Sequence, residues 1–244
     1  MDLIPDVTSD QVRRARAGVA ALPIGSFEQH GAYLPLATDT VVASAITASI
    51  AAAYNVLPLP PVTISCSHEH AAWPGTVSLS HQTLAAIVAD VASSLAAQGI
   101  RRLAAINGHG GNYVLSNIVQ TANATESPAV RMTLFPTRTD WDRARRAANL
   151  ATSSHDDMHA GELEVSILAH VRPGLLRDGY QMTDHFADDR SMLLVHGMAA
   201  YTETGVIGRP SAGTAEKGKA ILESLVATFA DHLGALNIAA DPPA

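Results

Sequence analysis

The chain has 244 residues, 47% hydrophobic and 16% charged, with a formal net charge of -7. This length and balance predict a folded domain with its own core and exclude a disordered chain. The acidic balance, with no long Lys/Arg block, excludes nucleic acid and anionic membrane surfaces as expected partners.

Cys66 is the only cysteine, so no intrachain disulfide can form. No stretch approaches the ~20 apolar residues of a spanning helix. The opening MDLIPDVTSDQVRRARAGVA lacks a signal-peptide core. A cytoplasmic protein is expected.

Along the chain, short apolar runs alternate with longer helical stretches, the pattern of a mainly parallel α/β sheet with helices on both faces. Val19–Ile24 reads as a buried strand, followed by the loop GSFEQHGAYLPLATD and a helix over 40–53. Extended pieces are predicted at 56–60 and 62–65, divided by Pro60 and Pro61. A helix over 81–98 has Ser80 as N-cap and Gly99 past its end. The strand 102–106 leads into the loop NGHGGN and a helix over 112–124. A strand over 129–135 and helices over 139–151, 160–170 and 214–236 complete the chain. No repeat or linker interrupts it, so a single domain over 1–244, with its core at about 19–236, is expected.

Chemistry-bearing residues gather in the loops after strands, where open parallel sheets bind ligands. Glu28 and His30, two apart in an extended loop, face one way. With Asp39 they form a carboxylate–imidazole set that suits Zn²⁺, Mn²⁺ or Fe²⁺. Taken singly, Asp39 equally fits a helix cap. The loop NGHGGN lets backbone pass close to a ligand around His109. It matches neither a dinucleotide-binding fingerprint nor a phosphate loop. The segment HDDMHAGELE brings His155, His159, Glu162 and Glu164 together. On a regular helix the two glutamates differ by about 200° in direction. Ser67, His68, Glu69 and His70, with Trp73 downstream, suit either a pocket wall or a surface turn. Nothing in the sequence gives Cys66 a clearly cationic neighbour to lower its pKa, so it reads as inert.

PIGSFEQHGAYLPLATDT, SHEHAAWPGTVSLS, AINGHGGN and MHAGELEVS resemble, in order and spacing, the creatininase family of amidohydrolases. The resemblance implies one α/β domain, two divalent metal ions and a homo-oligomer, often a hexamer. It makes Glu28 and His109 ligands of one metal and His30 a ligand of the other, with Asp39 bridging both. The glutamate ligand of creatininase's own histidine loop falls at Gly111 here. Members with this Gly-Gly form resemble one another in turning to the acid of HAGE, so Glu162 is expected to complete the second metal. A place three residues after His159 on one helical face supports that expectation. His159 and Glu164 are expected to carry protons, and Ser67, His70, Gly110 and His155 to meet substrate. Creatininase's substrate-holding tyrosine and tryptophan fall at Gly110 and His155, which argues against creatinine.

The expected reaction is hydrolysis of an amide, cyclic amide or formamide C–N bond by metal-activated water. The alternatives are a peptidase of the mycofactocin-system type and a small-molecule binding protein without catalysis.

Overall fold

All six residues of the first strand are buried. Strands covered on both faces by helices read as continuous apolar runs, and the two faces of this one meet different cores. Val19 and Ala21 join one hydrophobic cluster, Ala20, Leu22 and Ile24 the other. The computed structural model describes residues 4–238. Its strands are β1 (Val19–Ile24), β2 (Val56–Pro58), β3 (Arg102–Asn107) and β4 (Arg131–Phe135). They form one sheet in the order β2–β1–β3–β4, every pair parallel.

The helices are α1 (Ser9–Ala15), α2 (Thr38–Ala53), α3 (His81–Ala97), α4 (Val114–Ala122), α5 (Arg138–Ala147), α6 (Glu162–Val171), α7 (Leu193–His196) and α8 (Ala215–Ala235). Val42 and Ile46 of α2, Ile167 of α6 and Phe229 of α8 cover one face. Leu84 and Val88 of α3 and Leu115 of α4 cover the other. This is the expected α/β fold. Among the described residues, no helix is long and apolar enough to cross a membrane.

Several predicted boundaries move, among them the helix end expected at 151, which falls at Ala147, and the strand start expected at 129, which falls at Arg131; three further changes have a plain physical reason. The second extended piece, 62–65, keeps only a bridge between Val62 and Ile24, because Pro60 and Pro61 turn the chain away from β2. The helix expected from 112 starts at Val114, since residues 109–113 are spent in the turn of the histidine loop. The helix expected from 160 starts at Glu162, because Ala160 takes the left-handed backbone (φ 55°). Helix α1, with Thr8 as its capping residue, is an element the periodicity did not announce.

β1 and β3 are neighbours, with Ile24 beside Asn107, so their following loops leave the same sheet edge together. The Gly108 amide donates to Ile24 O (2.9 Å). A Cβ on Gly108 would overlap the Asp39 carbonyl and crowd Ala43. Only glycine lets the histidine loop lie against the first turn of α2.

Away from the site, Asp140 ties α5 to α8. It accepts from the Thr137 amide (2.8 Å), the Thr137 hydroxyl (2.5 Å) and His232 Nε2 (3.1 Å). Burial opposes its ionisation, yet the Thr137 groups and His232 hold its pKa below the ordinary value. A depressed acid contributes stability above the ordinary carboxylate pKa of about 3.9 and loses it as pH falls through the folded value. Asp140→Ala is therefore expected to lower unfolding stability by about 2 kcal/mol at pH 7. Urea titrations should show the difference from wild type shrinking as pH falls below about 4.

Candidate metal centre

The β1 loop carries Glu28 and His30, the first turn of α2 carries Asp39, and the β3 loop carries His109. All four are buried. His30 Nε2 lies 3.2 Å from Asp39 Oδ1, and Asp39 Oδ2 lies 3.2 Å from His109 Nδ1. Asp39 thus stands between the two imidazoles, one oxygen toward each. His109 Nε2 lies 3.2 Å from Glu28 Oε2 and donates to Cys66 O at 2.8 Å.

Backbone contacts fix the ring orientations. His30 Nδ1 donates to Glu28 O (3.0 Å), which leaves Nε2 with its lone pair directed at Asp39. His159 Nε2 donates to Gln29 O (2.7 Å), so Nδ1 faces Glu28 Oε1 at 3.7 Å. His30 and His159 stand with ring centroids 4.2 Å apart.

A divalent ion fits these residues. Glu28 Oε1 and Asp39 Oδ2 are buried and receive no hydrogen bond, although imidazole nitrogens stand at 3.2 Å. Unsatisfied buried carboxylate oxygens are costly. Donors bound to one ion at about 2.1 Å with tetrahedral angles stand about 3.4 Å apart without hydrogen-bonding each other. Among the described residues, three groups of donor atoms converge closely enough to share an ion: Glu28, Asp39 and His109; His30, His159 and Glu164; and Glu28, His70 and His159.

The electrostatics agree. Burial lowers the pKa of His30, but Asp39 and Glu164 outweigh it and raise that pKa well above the ordinary value. Glu28 and Asp39 do the same for His109. These carboxylates demand nearby positive charge. His159 and His70 go the other way: burial, with the neighbouring imidazoles, holds both below the ordinary histidine value.

Glu162 is placed away from this cluster. Its carboxylate accepts from the amides of Ala151 and Thr152 (both 3.0 Å), from Thr152 Oγ1 (2.7 Å) and from Lys217 Nζ (2.6 Å). Burial would raise its pKa, but Lys217 and these donors bring it below the ordinary value. The spacing argument for Glu162 fails because His159 is not helical; it pairs with Ile207 in an isolated antiparallel bridge. The left-handed turn at Ala160 then swings the chain so that Glu164 faces the cluster. Glu164 Oε2 accepts from the Ala160 amide (2.6 Å), and Oε1 lies 3.7 Å from His30 Nε2. Asp157 holds this helix start by accepting from the Glu162 and Leu163 amides (2.6 and 3.0 Å).

The residues expected to meet substrate divide. Gly110 and His155 line an open cleft of about 760 Å³ that reaches His109, His159 and Glu164 and is walled by Trp141, Tyr113 and Arg190. Ser67 and His70 are buried and do not line it. Ser67, buried, hydrogen-bonds Ser26, which donates to Glu28 Oε2 (2.8 Å). Gln29 donates to His70 Nδ1 (2.9 Å), which puts the His70 proton on Nε2, 3.2 Å from Glu28 Oε1 without forming a hydrogen bond to it. Both support Glu28 from below. Ser26 and Gln29 were legible only as neighbours of Glu28 in the motif.

The family model described as "Creatininase: Creatinine amidohydrolase" matches residues 5–233. The chain is 32% identical over 222 residues to a mycofactocin precursor peptide peptidase of Mycolicibacterium smegmatis, covering 87% of this chain and 83% of that one. It is 26% identical over 237 residues to a creatinine amidohydrolase of Pseudomonas putida, covering 90% and 91%. A solved structure described as "Creatininase Mn" superposes with a TM-score of 0.78 at 24% identity, over 93% of this chain and 95% of that one, a likeness of fold.

Proposed function

The chain belongs to the creatininase family and is a hydrolase acting on C–N bonds; from that premise we propose that it cleaves a non-creatinine amide with two divalent ions. Glu28, Asp39 and His109 hold one ion. His30, Asp39 and Glu164 hold the other, Glu164 taking the place expected of Glu162. The carrying observation is that Asp39 directs one oxygen at each of two imidazoles, with one of those oxygens otherwise unpartnered.

Bound divalent ions at these positions lower the pKa of water and polarise the scissile carbonyl. His159 is placed to move protons: its Nε2–H is fixed on Gln29 O, so Nδ1 is free to take a proton from water and deliver it to the departing nitrogen. Gly110 and His155 border the substrate. Ser67 and His70 act through Glu28, which they orient.

Within the amide class, a peptide end is the reading that two observations favour. The cleft has room for more than a single small ring, and the relative at 32% identity is a peptide peptidase. A screen over short peptides, formamides, lactams and cyclic imides, run beside metal analysis, tests this. Metal-dependent cleavage of a peptide is the expected result. Cleavage of formamides or lactams alone would move the substrate class, and protein holding no stoichiometric metal would favour a binding protein.

Metal affinity should also fall as pH drops. His30 and His109 hold protons more tightly than a free imidazole, and each ion must displace them. Titration with Mn²⁺ at two pH values checks the sign.

Assembly into a homo-oligomer, a hexamer by family resemblance, is part of the proposal. Met182, Phe186, Met192, Leu194 and Val195 support it as exposed apolar side chains on one stretch of chain. Light scattering showing only monomer at micromolar concentration would contradict it. The buried lone thiol of Cys66 suits the cytoplasm.

A further inference from the structure

The side chain that fills the space over Gly111 comes from another loop. A Cβ on Gly111 would overlap Glu69 Oε1 and His109 Nε2. The backbone there is not left-handed, so it is space, and not conformation, that requires glycine. Glu69 stands on the one-turn helix His68–His70. Its side chain is only 13% exposed, and Oε1 lies 3.7 Å from His109 Nε2. Among the described residues, the one N–H directed at its carboxylate is its own. The carboxylate also borders an open cleft of about 450 Å³, where water can reach it, and on the protein side it has one imidazole as a neighbour.

That neighbour is His109. Its Nδ1 faces Asp39, its Nε2–H is donated to Cys66 O, and the same Nε2 edge lies 3.2 Å from Glu28 Oε2. Metal-binding imidazoles commonly have their far nitrogen held by a carbonyl or carboxylate, which fixes the tautomer and raises ligand basicity.

We propose that Glu69 is a positioning residue for His109, its carboxylate lying in the space left by Gly111 against the Nε2 edge of the ring and, with the Cys66 carbonyl, keeping Nδ1 turned toward Asp39 and the ion His109 would share with it. This rests on the two-ion reading above. Glu69 does not touch substrate in this role; it acts through the imidazole.

The test is Mn²⁺ titration of chelator-treated wild type and Glu69→Gln, with the melting temperature of both metal-free proteins. Wild type should bind two ions. Glu69→Gln should bind one as wild type does and the other about 10–100-fold more weakly. Its metal-free melting temperature should be equal or higher, because a neutral amide replaces a buried charge. Wild-type affinity at both positions overturns the proposal. So does a metal-free melting temperature lowered as much as the metal-loaded one, which would mark a merely structural role. Wild type that binds no Mn²⁺ overturns the two-ion reading itself, a distinguishable failure.

Discussion

Glu164→Gln is expected to strip one of two ions from the protein, while Glu162→Gln keeps both. Glu164 presents Oε1 to His30 from a carboxylate that, among the described residues, is otherwise held by the Ala160 amide. Without it, the second ion keeps His30 and Asp39, fewer than the three protein ligands usual at a catalytic zinc. Affinity at that position should fall by more than the roughly 100-fold that loss of an outer partner costs. Turnover should fall with occupancy. Glu162→Gln acts instead on the fold. It leaves Lys217, 23% exposed, beside a neutral amide and weakens the hold on the Ala151 and Thr152 amides. Removing one partner of a buried pair costs about 3–5 kcal/mol; the partial exposure of Lys217 reduces this to about 2–3 kcal/mol. At this chain length that is a drop in melting temperature of about 5–10 °C. Metal analysis and thermal unfolding of the two variants separate the roles, and the opposite pattern would return Glu162 to the metal.

Asp39→Asn should have the largest effect on chemistry. The aspartate carries one oxygen toward His30 and one toward His109, and its own position on α2 is fixed by the close approach of Gly108. An amide offers one weak ligand oxygen and an NH₂ group where a second oxygen is required. At least one ion should be lost, with hydrolysis reduced on the order of 10²-fold or more. Burial opposes ionisation of Asp39, but the flanking imidazoles hold its pKa below the ordinary value, so its charge stabilises the fold at neutral pH and the metal-free variant should still fold but unfold below the wild-type temperature. Retention of two ions per chain by Asp39→Asn would refute the bridge.

The sequence made the sheet legible because its strands are short, apolar and separated by longer helical stretches. β1 reads as an unbroken run precisely where both its faces are covered. The loops at one sheet edge were legible too, since a parallel sheet must place both on the same side. What the sequence hid was local backbone. The Glu162 expectation assumed a helix running through His159, and nothing in HAGE announces that Ala160 is left-handed or that His159 pairs with Ile207. Ser67 and His70 were readable as polar residues near the site but not as supports beneath Glu28, because their contacts cross long stretches of chain. Glu69 was hidden for the same reason: the space it fills belongs to Gly111, which lies 42 residues further along.

Anomalous scattering from crystals of Mn²⁺-loaded protein tests the two-ion centre most directly. The account predicts two peaks about 3.5–4 Å apart, with Asp39 between them, Glu28 and His109 on one, and His30 and Glu164 on the other. A single peak, or a second ion held by Glu162, would contradict it.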